Sequence, residues 1–239
     1  MLVTRVTEPS KYGVVVTRDD GRVEHFVEKP QTFVSNLINA GIYLFDSSVL
    51  DAIEAKPMSL EKDIFPLLAQ EGRLYAIVNT GFWMDIGQPK DFLTGTRLFL
   101  GHLAKSTAIC TTETIDGSMA DALAKGPNVE GNCLVHPTAS VSPDAVIGPD
   151  VVIGPNVTVG PGARVVSSVL LEHSTVEPHA LVSNSIIGWR STVRSWAHVA
   201  NYSVLGENVS IGTACAVNGA IVLPHKSIDK SVWSNEIIM

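Results

Sequence analysis

An aliphatic residue returns every six positions over the C-terminal half of the sequence. One run covers residues 129–171 and a second covers residues 187–223, and steps of five, six and five through Val176 and Val182 join them. A small or slender side chain stands two positions before each aliphatic residue, from Cys133 onward. Side chains two apart on a strand share a face. Six residues therefore form one short strand and one corner.

A hexapeptide coil explains this period, whereas a helix does not. Three strand-and-corner units close a triangular turn of ~18 residues, and the aliphatic side chains stack into one core, so the stretch supplies about five turns. Glycine follows many of the aliphatic residues, as at Gly154 and Gly188, and we expect it to supply positive φ at the corners. The pattern is similar to hexapeptide-repeat proteins, and that resemblance implies a left-handed parallel β-helix.

Charge and cysteine content narrow the class of protein. A formal charge of −7 without a Lys/Arg cluster argues against binding to nucleic acid. Three cysteines without paired spacing indicate a reducing compartment. No apolar run approaches the ~18 residues of a membrane span, and the first residues do not resemble a signal peptide. We expect a cytoplasmic protein that does not bind a membrane.

The first half reads as mixed α/β. We expect a hairpin of strands 14–17 and 23–28 around the turn signal Asp20-Gly21. The remaining expected elements are a strand at 38–45, helices at 47–55 and 59–70, strands at 74–78 and around Trp83, and a helix at 90–102. The resulting domains are 1–103, a linker at 104–128, and a β-helix with a C-terminal cap at 129–239.

Polar residues stand at three strand ends, where sites in α/β proteins commonly lie. Glu28-Lys29 closes the second strand, and two solvated charges are the simpler reading of that pair. Asn39 and Gly41 interrupt the third strand, which an ordinary bulge would also explain. Asp85 follows a bulky apolar pair, and such a carboxylate can hold a hard cation such as Mg²⁺ or cap a helix.

Four sequence motifs occur in a fixed order in the first half, and together they indicate a protein family far more specifically than any one of them. They are EPSKYGVV at 8–15, FVEKP at 26–30, NAGIY at 39–43 and GFWMDIGQPKDF at 81–92. Together they resemble the sugar-1-phosphate nucleotidyltransferases, and within them the branch that makes GDP-mannose and carries a C-terminal hexapeptide β-helix. The resemblance implies a partial Rossmann-like nucleotidyltransferase domain, with GTP and mannose 1-phosphate as substrates and Mg²⁺ as cofactor.

The resemblance also implies roles for single residues. Gly13 would let the backbone approach the sugar, and Glu28, Asn39 and Gly41 would bind it. Lys29 would neutralise the sugar phosphate.

Asp85 would hold Mg²⁺, so that Lys29 and Asp85 form the catalytic pair. The family's opening Gly-x-Gly-Thr-Arg-Leu loop, its catalytic Lys and its first metal-binding Asp do not occur in this sequence. The expectation is a C-terminal fragment that keeps the acceptor side of the site and is inactive by itself.

Two other functions remain open at this point. Hexapeptide β-helices include acyltransferases with a catalytic histidine, but here no insertion breaks the repeat to build a cleft. The second alternative is a non-catalytic regulatory paralogue of the same two-domain plan. We expect a homo-oligomer, or a hetero-oligomer with such a paralogue. The histidines in or beside the repeat read as outward or corner residues: His136, His173, His179, His198 and His225.

Overall fold

A computed structural model describes residues 1–109 and 123–239 of the chain. They divide into two units, Met1–Trp83 and Met84–Met239. The domain boundaries predicted above follow the sequence pattern and stay a prediction.

The first unit is built on a five-stranded sheet in the order β3-β2-β4-β1-β5. Only β1 and β5 pair in parallel, and the other neighbours are antiparallel. The predicted hairpin of β2 and β3 is confirmed, with Gly21 at φ +82° in its turn. The strands are β1 (Leu2–Arg5), β2 (Gly13–Thr17), β3 (Val23–Glu28), β4 (Leu37–Asn39) and β5 (Ile77–Val78).

The third predicted strand is wrong beyond Asn39. The backbone turns there because the Asn39 side chain accepts a hydrogen bond from the N–H of Gly41 at 3.0 Å, and Gly41 adopts φ +79°. A residue with positive φ cannot continue a strand. No strand forms around Trp83 either.

Short helices cover one face of this sheet. Ser59 caps a π-helical turn, Leu60–Ile64, by accepting from the N–H of Lys62, and the turn continues into α1 (Phe65–Gln70). Phe65 and Leu68 of α1 are buried with Val15 and Phe26 of the sheet. Further 3₁₀ turns lie at Pro9–Lys11 and Ser47–Ala52.

The second unit begins with α2 (Pro89–Ile109), which runs seven residues past the predicted end at residue 102. A left-handed parallel β-helix of about six turns follows, rather than the five predicted. The additional strands lie beyond the repeat that sequence spacing detects. One of them, in the predicted C-terminal cap, pairs with its neighbour at Ile221↔Ile237 and Val222↔Ile238.

Three parallel sheets form the faces of the β-helix. The first contains β6 (Cys133–Val135), β9 (Val151–Ile153), β12 (Val169–Leu170), β15 (Ile186–Ile187), β18 (Val204–Leu205), β21 (Ile221–Val222) and β23 (Ile237–Ile238). The second contains β7 (Ser140–Val141), β10 (Thr158–Val159), β13 (Thr175–Val176), β16 (Thr192–Val193), β19 (Ser210–Ile211) and β22 (Ser227–Ile228). The third contains β8 (Val146–Ile147), β11 (Arg164–Val166), β14 (Leu181–Ser183), β17 (His198–Ala200) and β20 (Ala216–Asn218).

Two positions of the predicted aliphatic track are wrong by one residue. Leu170, not Leu171, is fully buried and pairs with Ile153 and Ile187. Val222, not Leu223, occupies the inward position of β21, three coils later, and Leu223 is 38% exposed. A slip of one residue reverses the face of a strand.

The predicted role of the corner glycines is also wrong at most positions. Of the glycines that follow aliphatic residues, Gly148 alone among the described residues has positive φ, at +108°. Gly154, Gly160 and Gly206 instead lie against the backbone of the next coil, where a Cβ on Gly160 would stand 2.8 Å from the nitrogen of Pro178. Positive φ occurs at non-glycine corner residues, including Asn156, His173, Arg190, Asn208 and His225.

Candidate sugar-phosphate site

Three of the predicted site residues form one row across the sheet of the first unit. Gly13 of β2 lies opposite Glu28 of β3. On its other side β2 is antiparallel to β4 with Val14 opposite Ile38, so Gly13 and Asn39 occupy the next shared position. Side chains of one row project to the same face. Glu28 and Asn39 therefore flank a position without a side chain.

Gly13 must be glycine for this arrangement. A Cβ there would stand 2.5 Å from the ring of Phe26 and 2.8 Å from Glu28 Oε2. Both atoms belong to β3, so the carboxylate of Glu28 reaches across its neighbouring strand. The buried ring of Phe26 and the Glu28 carboxylate both lie over the position of Gly13.

Lys29 directly follows the row and leaves the strand. Its φ of +46° is unusual for a residue with a side chain, and its N–H donates to the carbonyl oxygen of Tyr12 at 3.1 Å. The ammonium group is 3.9 Å from Glu28 Oε1, and the lysine side chain is 66% exposed against 22% for the glutamate. A half-buried carboxylate and an accessible cation thus lie side by side.

The Asn39 side chain forms hydrogen bonds with both Gly41 and Tyr43. Asn39 Oδ1 accepts from the N–H of Gly41, and Asn39 Nδ2 lies 2.5 Å from the hydroxyl oxygen of Tyr43. The space around Gly41 is open, with no atom within 4 Å of a Cβ built there. The NAGIY motif contains Tyr43, but the sequence alone indicates no role for it.

A second aromatic contact holds the same loop. Trp83 donates its indole N–H to the carbonyl oxygen of Ala40 at 3.1 Å and meets the ring of Tyr12 edge to face at 5.5 Å. The loop between Asn39 and Tyr43 is thereby fixed on both sides. The motifs KYG and FWMD contain the two aromatic residues, Tyr12 and Trp83. Neither motif indicates that Trp83 binds the carbonyl oxygen of Ala40.

Asp85 belongs to the second unit and lies on the exposed surface. Its Oδ1 accepts from the N–H of Gly87 at 3.0 Å, which leaves the other oxygen available. Within residues 1–109 and 123–239 no group of three or more His, Cys, Asp or Glu residues could hold a metal ion. Asp85 with its described neighbours therefore does not form a metal centre.

The histidines of the repeat are outward or corner residues, as expected. His173, His179 and His225 take φ values near +60° at corners. His179 stacks on Trp196 with ring centroids 4.4 Å apart.

Comparison with protein families matches both halves of the chain. Residues 1–100 match the nucleotidyl transferase model, and residues 129–238 match the GMPPB C-terminal domain. The two halves thus resemble the two kinds of domain that the sequence motifs and the hexapeptide repeat predict. The expected resemblance and fold class are thereby confirmed, and the relatives that align with the whole chain include guanylyltransferases.

One such relative is the mannose-1-phosphate guanylyltransferase catalytic subunit beta of Drosophila melanogaster, 50% identical over 239 residues. Another is the probable mannose-1-phosphate guanylyltransferase 2 of Oryza sativa subsp. japonica, 48% identical over 240 residues. Each alignment covers 100% of this chain but only 62% and 63% of the respective relative. The chain thus spans less than two thirds of these relatives.

Among solved structures, the acetyltransferase domain of PglB from Neisseria gonorrhoeae in complex with acetyl coenzyme A is similar at a TM-score of 0.42 and 20% identity. This match covers 44% of the present chain and 53% of that domain. Separately, no helix in the part of the chain that the structure describes is long and apolar enough to cross a membrane.

Proposed function

We propose that this chain forms the sugar-phosphate side of an enzyme that makes GDP-mannose and pyrophosphate from GTP and mannose 1-phosphate. The observation that carries the proposal is the row Glu28-Gly13-Asn39 with Lys29 at its end. The names of the guanylyltransferases that match the full chain support the choice of substrates.

The row suits a phosphorylated sugar for chemical reasons. A carboxylate and an amide accept hydrogen bonds from sugar hydroxyls, and the amide also donates. Because Gly13 has no side chain, the Glu28 carboxylate can lie over its strand, on the same face as Asn39. Lys29 presents an exposed cation to the phosphate, and the Glu28 carboxylate lies 3.9 Å from that cation.

The reaction itself depends on alignment and on charge neutralisation. A phosphate oxygen of the sugar phosphate attacks the α-phosphorus of GTP, and the bond from that phosphorus to the departing pyrophosphate breaks. Lys29 would lower the repulsion between the two phosphate groups, and Glu28 with Asn39 would hold the sugar so that its oxygen points at the phosphorus.

Divalent metal use is general in the nucleotidyl transferase family. Mg²⁺ at Asp85 is part of our proposal, and Asp85 Oδ2 is the oxygen that could contribute to it. The described residues do not by themselves group into a metal centre.

Lys29→Ala tests the phosphate contact in the 239-residue protein. Titration calorimetry with mannose 1-phosphate should show binding to the unmodified chain and at least tenfold weaker binding to the variant, since a charge-assisted contact contributes about 1.5–3 kcal/mol. Lys56→Ala is the matched control, because Lys56 is an exposed lysine paired with Glu54 at 2.8 Å.

Unphosphorylated mannose should bind both proteins equally weakly. Equal affinity of Lys29→Ala and the unmodified chain for mannose 1-phosphate would contradict the proposed site. Tighter binding of glucose 1-phosphate than of mannose 1-phosphate would contradict the proposed substrate.

The proposal includes a cytoplasmic location and association into a homo-oligomer or with a regulatory paralogue. The described cysteines, Cys133 and Cys215, are unpaired inside the β-helix, as in proteins of a reducing compartment. Trp189, Trp196 and Trp233 expose half or more of their surface, and exposed tryptophan is typical of association surfaces.

A further inference from the structure

Tyr43 has no role in the function proposed above, although it contacts a residue of the row. Its hydroxyl oxygen lies 2.5 Å from Asn39 Nδ2. The tyrosine ring packs between other aromatic rings, with centroid distances of 5.5 Å to Phe45 and 5.1 Å to Phe65. Phe65 is fully buried. The hydroxyl group is therefore held in place from the core of the unit.

The two hydrogen bonds of Asn39 determine which way its amide faces. The N–H of Gly41 can only donate, so the Asn39 atom that it meets at 3.0 Å is the oxygen. The amide nitrogen is then the atom that faces Tyr43. This leaves one N–H and one oxygen lone pair of Asn39 for a ligand.

The state of the tyrosine supports this geometry. Burial raises the pKa of Tyr43 above its usual value, the hydrogen bond from Asn39 opposes that effect, and the charges of Glu61 and Glu28 add to it. The phenol stays protonated at neutral pH, and its oxygen accepts from Asn39.

We propose that Tyr43 is a positioning residue, which fixes the Asn39 amide in the orientation that a sugar hydroxyl requires. The identity of the ligand rests on the proposed function, whereas the positioning of Asn39 does not. Tyr43→Phe removes a single oxygen and keeps the ring between Phe45 and Phe65. Tyr75→Phe is the matched control, because the Tyr75 hydroxyl accepts from Arg22 Nη2 at 3.3 Å beside the start of β3.

The first test needs no ligand. In nitrogen-15 correlation spectra of the 239-residue protein, Tyr43→Phe should move the side-chain amide signals of Asn39 and speed the exchange of their protons with water. Tyr75→Phe should leave those signals in place. Unchanged Asn39 amide signals in Tyr43→Phe would overturn the positioning role.

The second test is a double-mutant cycle in mannose 1-phosphate affinity, measured by calorimetry. Tyr43→Phe should weaken binding about fivefold to tenfold, the usual effect of one lost hydrogen bond. In an Asn39→Ala background the same change should weaken binding less than twofold, because Tyr43 acts through Asn39. Melting temperatures of the four proteins show whether a variant has lost its fold.

The outcomes separate the two proposals. Equal weakening by Tyr43→Phe in both backgrounds would overturn the positioning role, since a general loss of structure does not depend on Asn39. No binding of mannose 1-phosphate to the unmodified chain would overturn the proposed function and the ligand named here. The Asn39 amide signals would still decide whether Tyr43 orients that side chain.

Discussion

At the scale of single residues, buried serines hold the coils of the β-helix together at their corners. Ser168, Ser185 and Ser203 are fully buried. The hydroxyl of Ser168 donates to Val166 and accepts from the N–H of Ser185 in the next coil. Each hydroxyl thereby satisfies backbone groups of its own coil or the next one, which makes its burial tolerable.

Ser174 departs from this rule and gives a test of it. Its hydroxyl is fully buried and, in the part of the chain that the structure describes, has no hydrogen-bond partner. We expect Ser174→Ala to raise the free energy of unfolding by about 1 kcal/mol, since an unpaired buried hydroxyl is unfavourable. Urea unfolding followed by circular dichroism measures the change.

Ser191→Ala is the control, one coil further along the same stack. Ser191 Oγ donates to the carbonyl oxygen of Gly206 at 2.7 Å and accepts from the N–H of Val209 at 2.9 Å. Its removal should lower the unfolding free energy by about 1–3 kcal/mol. A loss of stability in Ser174→Ala as large as that in Ser191→Ala would contradict the assignment of an unpaired hydroxyl.

At the scale of elements, the hexapeptide period predicts the coil but not the points where it slips. Leu170 and Leu171 are both aliphatic, as are Val222 and Leu223, so spacing cannot choose between them. The inward residue is determined by the preceding corner, which is one residue shorter than most other corners. These short corners contain Ser167 at φ +45° and Gly219 at φ +80°. Corner length is a tertiary property, and no local pattern reports it.

In the candidate site, too, sequence motifs predict the residues but not their contacts. The words EKP and NAGIY mark Glu28 and Asn39, and strand pairing brings them into one row. The left-handed backbone of Lys29 and the contact between Asn39 and Tyr43 were not predicted, because both depend on neighbouring elements.

The corner glycines provide a prediction at this scale. A Cβ on Gly188 would overlap the carbonyl oxygens of Leu205 and Gly206 in the next coil. Gly188→Ala should therefore lower the midpoint of thermal unfolding by several degrees, because neighbouring coils cannot separate without breaking the parallel pairing of β15 and β18.

Gly101→Ala is the opposite case. Gly101 lies inside α2 with no atom within 4 Å of a built Cβ, and alanine favours a helix by about 1 kcal/mol over glycine. This variant should unfold at a higher temperature than the unmodified protein in the same calorimetric scan. Equal melting temperatures for Gly188→Ala and the unmodified protein would mean that the coils are not in close backbone contact there.

At the scale of the whole chain, the two units differ in how they bury apolar side chains. The β-helix stacks one continuous core of fully buried aliphatic residues from Ile147 to Val222. Each fully buried Val, Ile or Leu contributes ~1.5–3 kcal/mol before chain entropy is counted. In the first unit Leu44 is 95% exposed and Ile77, on the edge strand β5, is 72% exposed.

Limited proteolysis should therefore attack the first unit before the β-helix. Cleavage of a native protein follows local opening, and a small core with exposed apolar side chains opens at lower free energy than a stack of paired coils. We expect a resistant fragment that contains residues 129–239, identified by mass spectrometry of the time course.

The elution of this fragment in gel filtration should correspond to more than one copy, because Trp196 and Trp233 remain on its surface. Survival of residues 1–83 after the repeat is digested would contradict the order of stability, and elution as a single copy at all concentrations would contradict association through the β-helix.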